Sequence, residues 1–121
     1  MKKKVLLIGI DGCRPDAMLF ADTPNTKKLI GSGAYSFHAK TASAASLSGP
    51  NWASILTGLT SKHGVDSNVT IFGDLNGHQN MFELVKNASP IPVRTFLASA
   101  INGNPPWPGI ENILTKGCDE Y

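Results

Sequence analysis

The chain has 121 residues, 41% of them hydrophobic, which suits one globular domain or part of one. Its 11 Lys and Arg against 9 Asp and Glu leave a formal charge of +2, too small to point to nucleic acid or an anionic membrane as partner. Cys13 and Cys118 lie near opposite ends without metal-ligand spacing, so neither a zinc ribbon nor a disulfide framework is expected and both are read as reduced thiols.

Met1-Lys2-Lys3-Lys4 has the charge of a signal-peptide start, but the apolar run after it, Val5 to Ile10, is short and meets an acid at Asp11. No stretch is long enough to span a bilayer, so the chain is expected to be cytoplasmic. Val5 to Ile10 is rich in branched residues and reads as a strand covered on both faces of a parallel sheet, with Asp11 at its C-terminal end. Thr23-Pro24 places a capping residue before a proline at the first helical position, and Gly31 and Gly33 supply the stop, predicting a helix over Pro24 to Ile30. Ala34 to Lys40 alternates as a strand, with Tyr35, Phe37 and Ala39 on one side.

A small-residue stretch, Thr41 to Gly49, leads into Pro50 at a first helical position. Trp52, Ile55 and Leu56 then recur at helical spacing until Gly58, which puts Ser48 just outside the helix N-terminus. Ser61 to Gln79 is polar and glycine-rich, a loop with one short strand around Val69 to Phe72. Asn80 to Ala88 reads as a helix with Met81, Leu84 and Val85 on one face, Val93 to Ala98 as a buried strand, and Ile110 to Lys116 as a last helix before Gly117. This alternation argues for an α/β fold, a layered sheet of mainly parallel strands flanked by helices. No repeat or long linker interrupts it, and Cys118 to Tyr121 offers no closing element. Residues 1–121 are therefore expected to form the N-terminal part of a single domain, incomplete at the C-terminus.

Ligands of open α/β sheets bind beyond the carboxyl ends of the strands, where Asp11 is expected. Its carboxylate suits a divalent cation, or merely caps the turn Asp11-Gly12-Cys13-Arg14-Pro15. Ser48 at a helix N-terminus stands where free N–H groups and the helix dipole favour a phosphoryl group. A serine hydroxyl needs a base or a metal to become a nucleophile, and Asp11 is a carboxylate that can hold such a metal. Asn51, one turn on, can aim its amide at a phosphoryl oxygen. On spacing alone, Ser48 reads equally well as an N-cap and Asn51 as a first-turn residue.

Taken together, Val5 to Asp16, Thr23-Pro24-Asn25, Ser48-Gly49-Pro50-Asn51-Trp52, Thr57-Gly58-Leu59 and Lys62-His63-Gly64-Val65 resemble the opening motifs of type I phosphodiesterases and nucleotide pyrophosphatases, within the alkaline phosphatase superfamily. The likeness covers about the first hundred residues. It implies an alkaline phosphatase-like fold and hydrolysis of small-molecule phosphate esters at two divalent ions, of zinc type, with Asp11 and Ser48 as metal ligands. Ser48, selected over Ser46 by the register back from Thr57-Gly58, is implied to be the nucleophile, forming a phosphoryl- or nucleotidyl-enzyme that metal-bound water releases. Asn51 is implied to contact the phosphate. Trp52 departs from the histidine common in nucleotide pyrophosphatases, which counts against a nucleotide substrate.

The resemblance also implies ligands that this chain lacks, an Asp-x-x-Gly-His motif and an Asp-His pair much later in sequence. Asp74-Leu75-Asn76-Gly77-His78 matches the first pattern but follows the nucleophile too closely, and reads as a polar turn. His63 is expected to be structural rather than a general base, His38 a surface residue, and Arg14 solvated or ion-paired. Two alternatives stand beside the hydrolase. One is a sulfatase or phosphomutase-like member of the superfamily, disfavoured because no arginine follows Asn51-Trp52-Ala53. The other is a truncated, inactive binding module, since one carboxylate and one hydroxyl are fewer than the roughly three protein ligands of a catalytic zinc. The chain alone is expected to be inactive.

Overall fold

A computed structural model describes residues 4–42, 45–68, 75–98 and 115–120. The chain divides into two compact units, Met1–Lys40 and Thr41–Tyr121.

The first unit carries two helices. Helix α1, Pro15–Phe20, starts where Arg14 is held extended by the following proline, with Pro15 at its first position and Asp16 in its first turn, favourable to the dipole. The sequence reading stopped at the turn before it and missed this short helix. Helix α2, Pro24–Ser32, begins at the expected proline but runs through Gly31 to end at Gly33. One glycine inside a helix costs only about 1 kcal/mol, too little to stop one already formed. Thr23 does not cap it; its Oγ1 donates instead to the Met18 carbonyl at 3.3 Å.

Val5 to Ile10 has no regular secondary structure, and its large side chains are exposed, Val5 at 95% and Leu7 at 59%. Ala34 to Lys40 likewise forms no strand, though Tyr35 and Phe37 do share a side, with ring centroids 5.2 Å apart. Among the described residues the sole strand-like pairing is one parallel bridge, Phe96 to Glu120. A layered sheet therefore rests on the sequence pattern, because no ladder among these residues supplies the hydrogen bonds that would define one.

The second unit is built on α3, Ser48–Thr57, and α4, Met81–Ala88, with a short 3-10 turn at Leu75–Gly77 between them. Helix α3 starts two residues earlier than the proline suggested and stops at Gly58, whose left-handed φ of 72° lets its N–H reach the Ser54 carbonyl at 2.9 Å. Its buried stripe is Gly49, Pro50, Ala53, Ser54 and Leu56, while Ile55, expected to face inward, is 51% exposed. Ala53 and Leu56 form the core with Val65 and Leu75, against which Met81, Phe82 and Leu97 pack. The inward face of α4 is thus Met81 and Phe82; Leu84 and Val85, expected there, are largely exposed.

What fixes α4 is polar. Asn80, fully buried, accepts from the N–H groups of Phe82 and Glu83, and the Glu83 carboxylate accepts from the Asn80 N–H at 3.1 Å. The other end of the Asn80 amide donates to the Lys116 carbonyl at 2.6 Å. Lys86 Nζ donates to Asp119 and to the Gly117 carbonyl, both at 2.6 Å, and Asp119 accepts from the Thr95 N–H at 2.7 Å. Residues 93–98 are accordingly stitched to 115–120 with Thr95 buried and Phe96 exposed, a one-sided segment rather than the expected buried strand. Of the helix expected over Ile110 to Lys116, only Thr115 and Lys116 are described; the strand expected around Val69 to Phe72 lies outside the described residues.

Candidate active site

Ser48 is the first residue of α3, and the N-cap position belongs to Leu47, which makes no side-chain cap. This corrects the reading of Ser48 as a residue just outside the helix. It also removes the capping role, because a hydroxyl at the first helical position does not lie over the first-turn amides as a capping side chain does. Among the described residues the half-buried Ser48 hydroxyl makes no hydrogen bond. The other hydroxyls of α3 behave differently. Ser54 donates to the Pro50 carbonyl at 2.9 Å and Thr57 to the Ala53 carbonyl at 2.7 Å, the usual back-bonding of such residues inside a helix.

The first turn around Ser48 is closely packed. Gly49 and Pro50 are buried, and the Gly49 N–H donates to Asn68 Oδ1 at 2.8 Å. A Cβ on Gly49 would lie 2.7 Å from the Ser67 carbonyl oxygen and 3.3 Å from Asn68 Oδ1, so glycine is needed for residues 67–68 to cross the helix start. Pro50 has no N–H to leave unsatisfied in that turn. The result is a helix terminus with a hydroxyl, an amide side chain and the positive end of the dipole at one place.

Asn51 is tied to the segment that precedes Ser48. Its Nδ2 donates to the Leu47 carbonyl at 2.8 Å and to the Ala45 carbonyl at 3.3 Å. Both amide protons thus pin the segment before Ser48, and a phosphoryl contact would have to displace one of them. Asn68, which the sequence reading passed over, is brought to the start of α3, where its Oδ1 accepts from the Gly49 N–H. No short-range signal marks it, because it reaches the helix from 20 residues downstream of Ser48.

Asp11 is exposed and lies in the first unit, whereas Ser48 and Asn51 lie in the second. Among the described residues no three His, Cys, Asp or Glu side chains come together as a metal site. The oxygen donors of Asp11 and Ser48 suit a divalent cation in kind but are too few to complete a zinc site. Arg14 is engaged with Asp16, Nε to Oδ1 at 3.1 Å with a second contact from the guanidinium, and this pairing lowers the Asp16 carboxyl below its ordinary 3.8. His38 is exposed, as expected. His78 is exposed too, and Asp74, the start of the Asp-x-x-Gly-His match, lies outside the described residues.

His63 is buried at 4% and has both ring nitrogens engaged, Nδ1 accepting from the Val65 N–H at 3.2 Å and Nε2 lying 3.1 Å from Ser54 Oγ. Its loop is tight. Lys62 and Gly64 have φ of 73° and 75°, and a Cβ on Gly64 would come within 2.5 Å of Asn76, whose amide donates to the Lys62 carbonyl at 3.0 Å. The Lys62-His63-Gly64-Val65 motif is therefore packed against α3 through Ser54.

A family model described as type I phosphodiesterase / nucleotide pyrophosphatase matches residues 5–109. The chain belongs to this family. The matched span of this phosphodiesterase-family chain takes in Asp11, Ser48, Asn51, His63 and Asn68 together. No curated protein and no solved structure matches it.

Proposed function

We propose that the chain supplies the nucleophile-bearing half of a phosphodiesterase-family active site, in which Ser48 Oγ attacks the phosphorus of a small phosphate ester. The observation that supports this most is the Ser48 hydroxyl at the first position of α3, which makes no hydrogen bond among the described residues, in a helix whose remaining hydroxyls are all bonded back to main chain. In the attack the Ser48 O–P bond forms as the bond from phosphorus to the leaving oxygen breaks, and the Ser48 proton departs to solvent or a base. Water then splits the phosphoserine. Negative charge gathering on the phosphoryl oxygens would face the N-terminal end of α3, whose dipole favours it.

Asp11 and Ser48 are the ligands this chain would offer to divalent ions of zinc type, whose contribution is to lower the hydroxyl pKa and neutralise phosphoryl charge. Asn51 is assigned a positioning role, holding Ala45 to Leu47 so that Ser48 is presented at the helix start. An acid-quenched reaction with bis-p-nitrophenyl phosphate and zinc, digested and read by mass spectrometry, tests the covalent step. A phosphoryl adduct on the Ser48 peptide is expected. An adduct elsewhere, or turnover without one in a rapid quench, would contradict it.

A further inference from the structure

Of the three histidines only His63 is buried, and its surroundings specify its protonation. Because the Val65 N–H donates to Nδ1, that nitrogen is an acceptor and the proton of the neutral ring sits on Nε2. Nε2–H then donates to Ser54 Oγ at 3.1 Å, and the Ser54 proton goes on to the Pro50 carbonyl at 2.9 Å. Two hydrogen bonds therefore join the imidazole to the turn of α3 that begins with Ser48.

We propose that His63 is a proton-sensitive positioning residue, which when neutral holds the first turn of α3, and Ser48 with it, through Ser54, and which releases that turn when the ring takes a second proton. A proton on Nδ1 would set two donors against each other across the 3.2 Å contact with Val65. The loop cannot yield easily, since Asn76 grips the Lys62 carbonyl, Gly64 abuts Asn76, and Val65 lies in the core. The displacement is left to the ring and so to Ser54. Among the described residues, helix α3 has no titratable side chain, Lys62 and Asp66 on the same loop are exposed, and the charge that acts on His63 is that of His78, itself a base. Burial first, and His78 second, lower the His63 pKa from its ordinary 6.5, in keeping with this geometry.

The role of the turn that moves rests on the reading of Ser48 as nucleophile; the coupling itself does not. It is tested by NMR titration of the chain, following the His63 ring nitrogens and the amides of Gly49 and Asn51 from neutral to acid pH. The expected result is an Nε2–H tautomer at neutral pH, a midpoint below 6.5, and shifts of the Gly49 and Asn51 amides with that same midpoint. In Ser54→Ala those amide shifts should disappear while His63 still titrates, and Ser54→Thr, which keeps the hydroxyl, should retain them. An Nδ1–H tautomer, or first-turn amides that stay still through the His63 transition, would overturn the proposal, and the wild-type titration decides this even if a variant fails to fold. Since no readout is catalytic, failure of the hydrolase reading would show separately, in the Ser48 assays.

Discussion

Replacing Gly49 by alanine tests the packing of the candidate site by the sign of its effect. In an open helix position the change would stabilise by up to about 1 kcal/mol through helix propensity. At Gly49 the new Cβ would stand 2.7 Å from the Ser67 carbonyl oxygen, and that segment must move away. Overpacking of this kind costs about 1–3 kcal/mol, and loss of the Asn68 hydrogen bond about 1 kcal/mol more. The net expectation is a destabilisation of about 1–3 kcal/mol. With a urea slope of about 1–3 kcal/mol/M for a small domain, the unfolding midpoint should fall by roughly 1 M. Gly31→Ala in α2 is the contrast, as nothing lies within 4 Å of its Cβ, and it should stabilise its helix by about 0.5–1 kcal/mol. If Gly49→Ala stabilises as Gly31→Ala does, residues 67–68 do not cross the start of α3 and Asn68 is not beside Ser48.

Asn80→Ala removes the α4 cap, worth about 1 kcal/mol, and the bond to the Lys116 carbonyl, worth about 1 kcal/mol, so urea unfolding should show a loss of about 2 kcal/mol. The Asp119 carboxyl is held down to about 2, first by Lys86 and then by the Thr95 N–H. A folded value below the ordinary 3.8 means that its contribution is complete above 3.8 and lost as pH falls towards 2, so acid unfolding curves of Asp119→Asn should lack that window. His63 adds a second window by the opposite chemistry. A base whose folded pKa is depressed binds more protons when unfolded, so stability is full above 6.5 and declines as pH falls below it, and thermal unfolding of His63→Gln should not show that decline.

The helices were legible where local chemistry decides them. Pro24 started α2 and Gly58 stopped α3, and a helix was expected from Asn80 on, although Asn80 proves to be its cap rather than its first residue. Features set by distant partners were not. The buried faces of α3 and α4 depend on Val65, Leu75 and Leu97, which no helical periodicity reveals, so Ile55, Leu84 and Val85 were assigned inward and lie outward. The same holds at the site. Ser48 could be named from its motif, but its freedom from a capping bond, the commitment of Asn51 to Leu47 and Ala45, and the arrival of Asn68 over Gly49 are all tertiary facts. A strand over Val5 to Ile10 is a matter of ladder partners, and an apolar run cannot state where its partners are.

The most direct test of the account is hydrolysis of bis-p-nitrophenyl phosphate and p-nitrophenyl phosphate with added zinc. It would compare the protein with its Ser48→Ala variant. Turnover by the protein, lost by at least about a hundredfold in Ser48→Ala on the order expected for a missing nucleophile, is the predicted result. A Ser48→Ala variant as active as its parent would contradict the central claim, and an absence of turnover in every form would favour a binding module over a hydrolase.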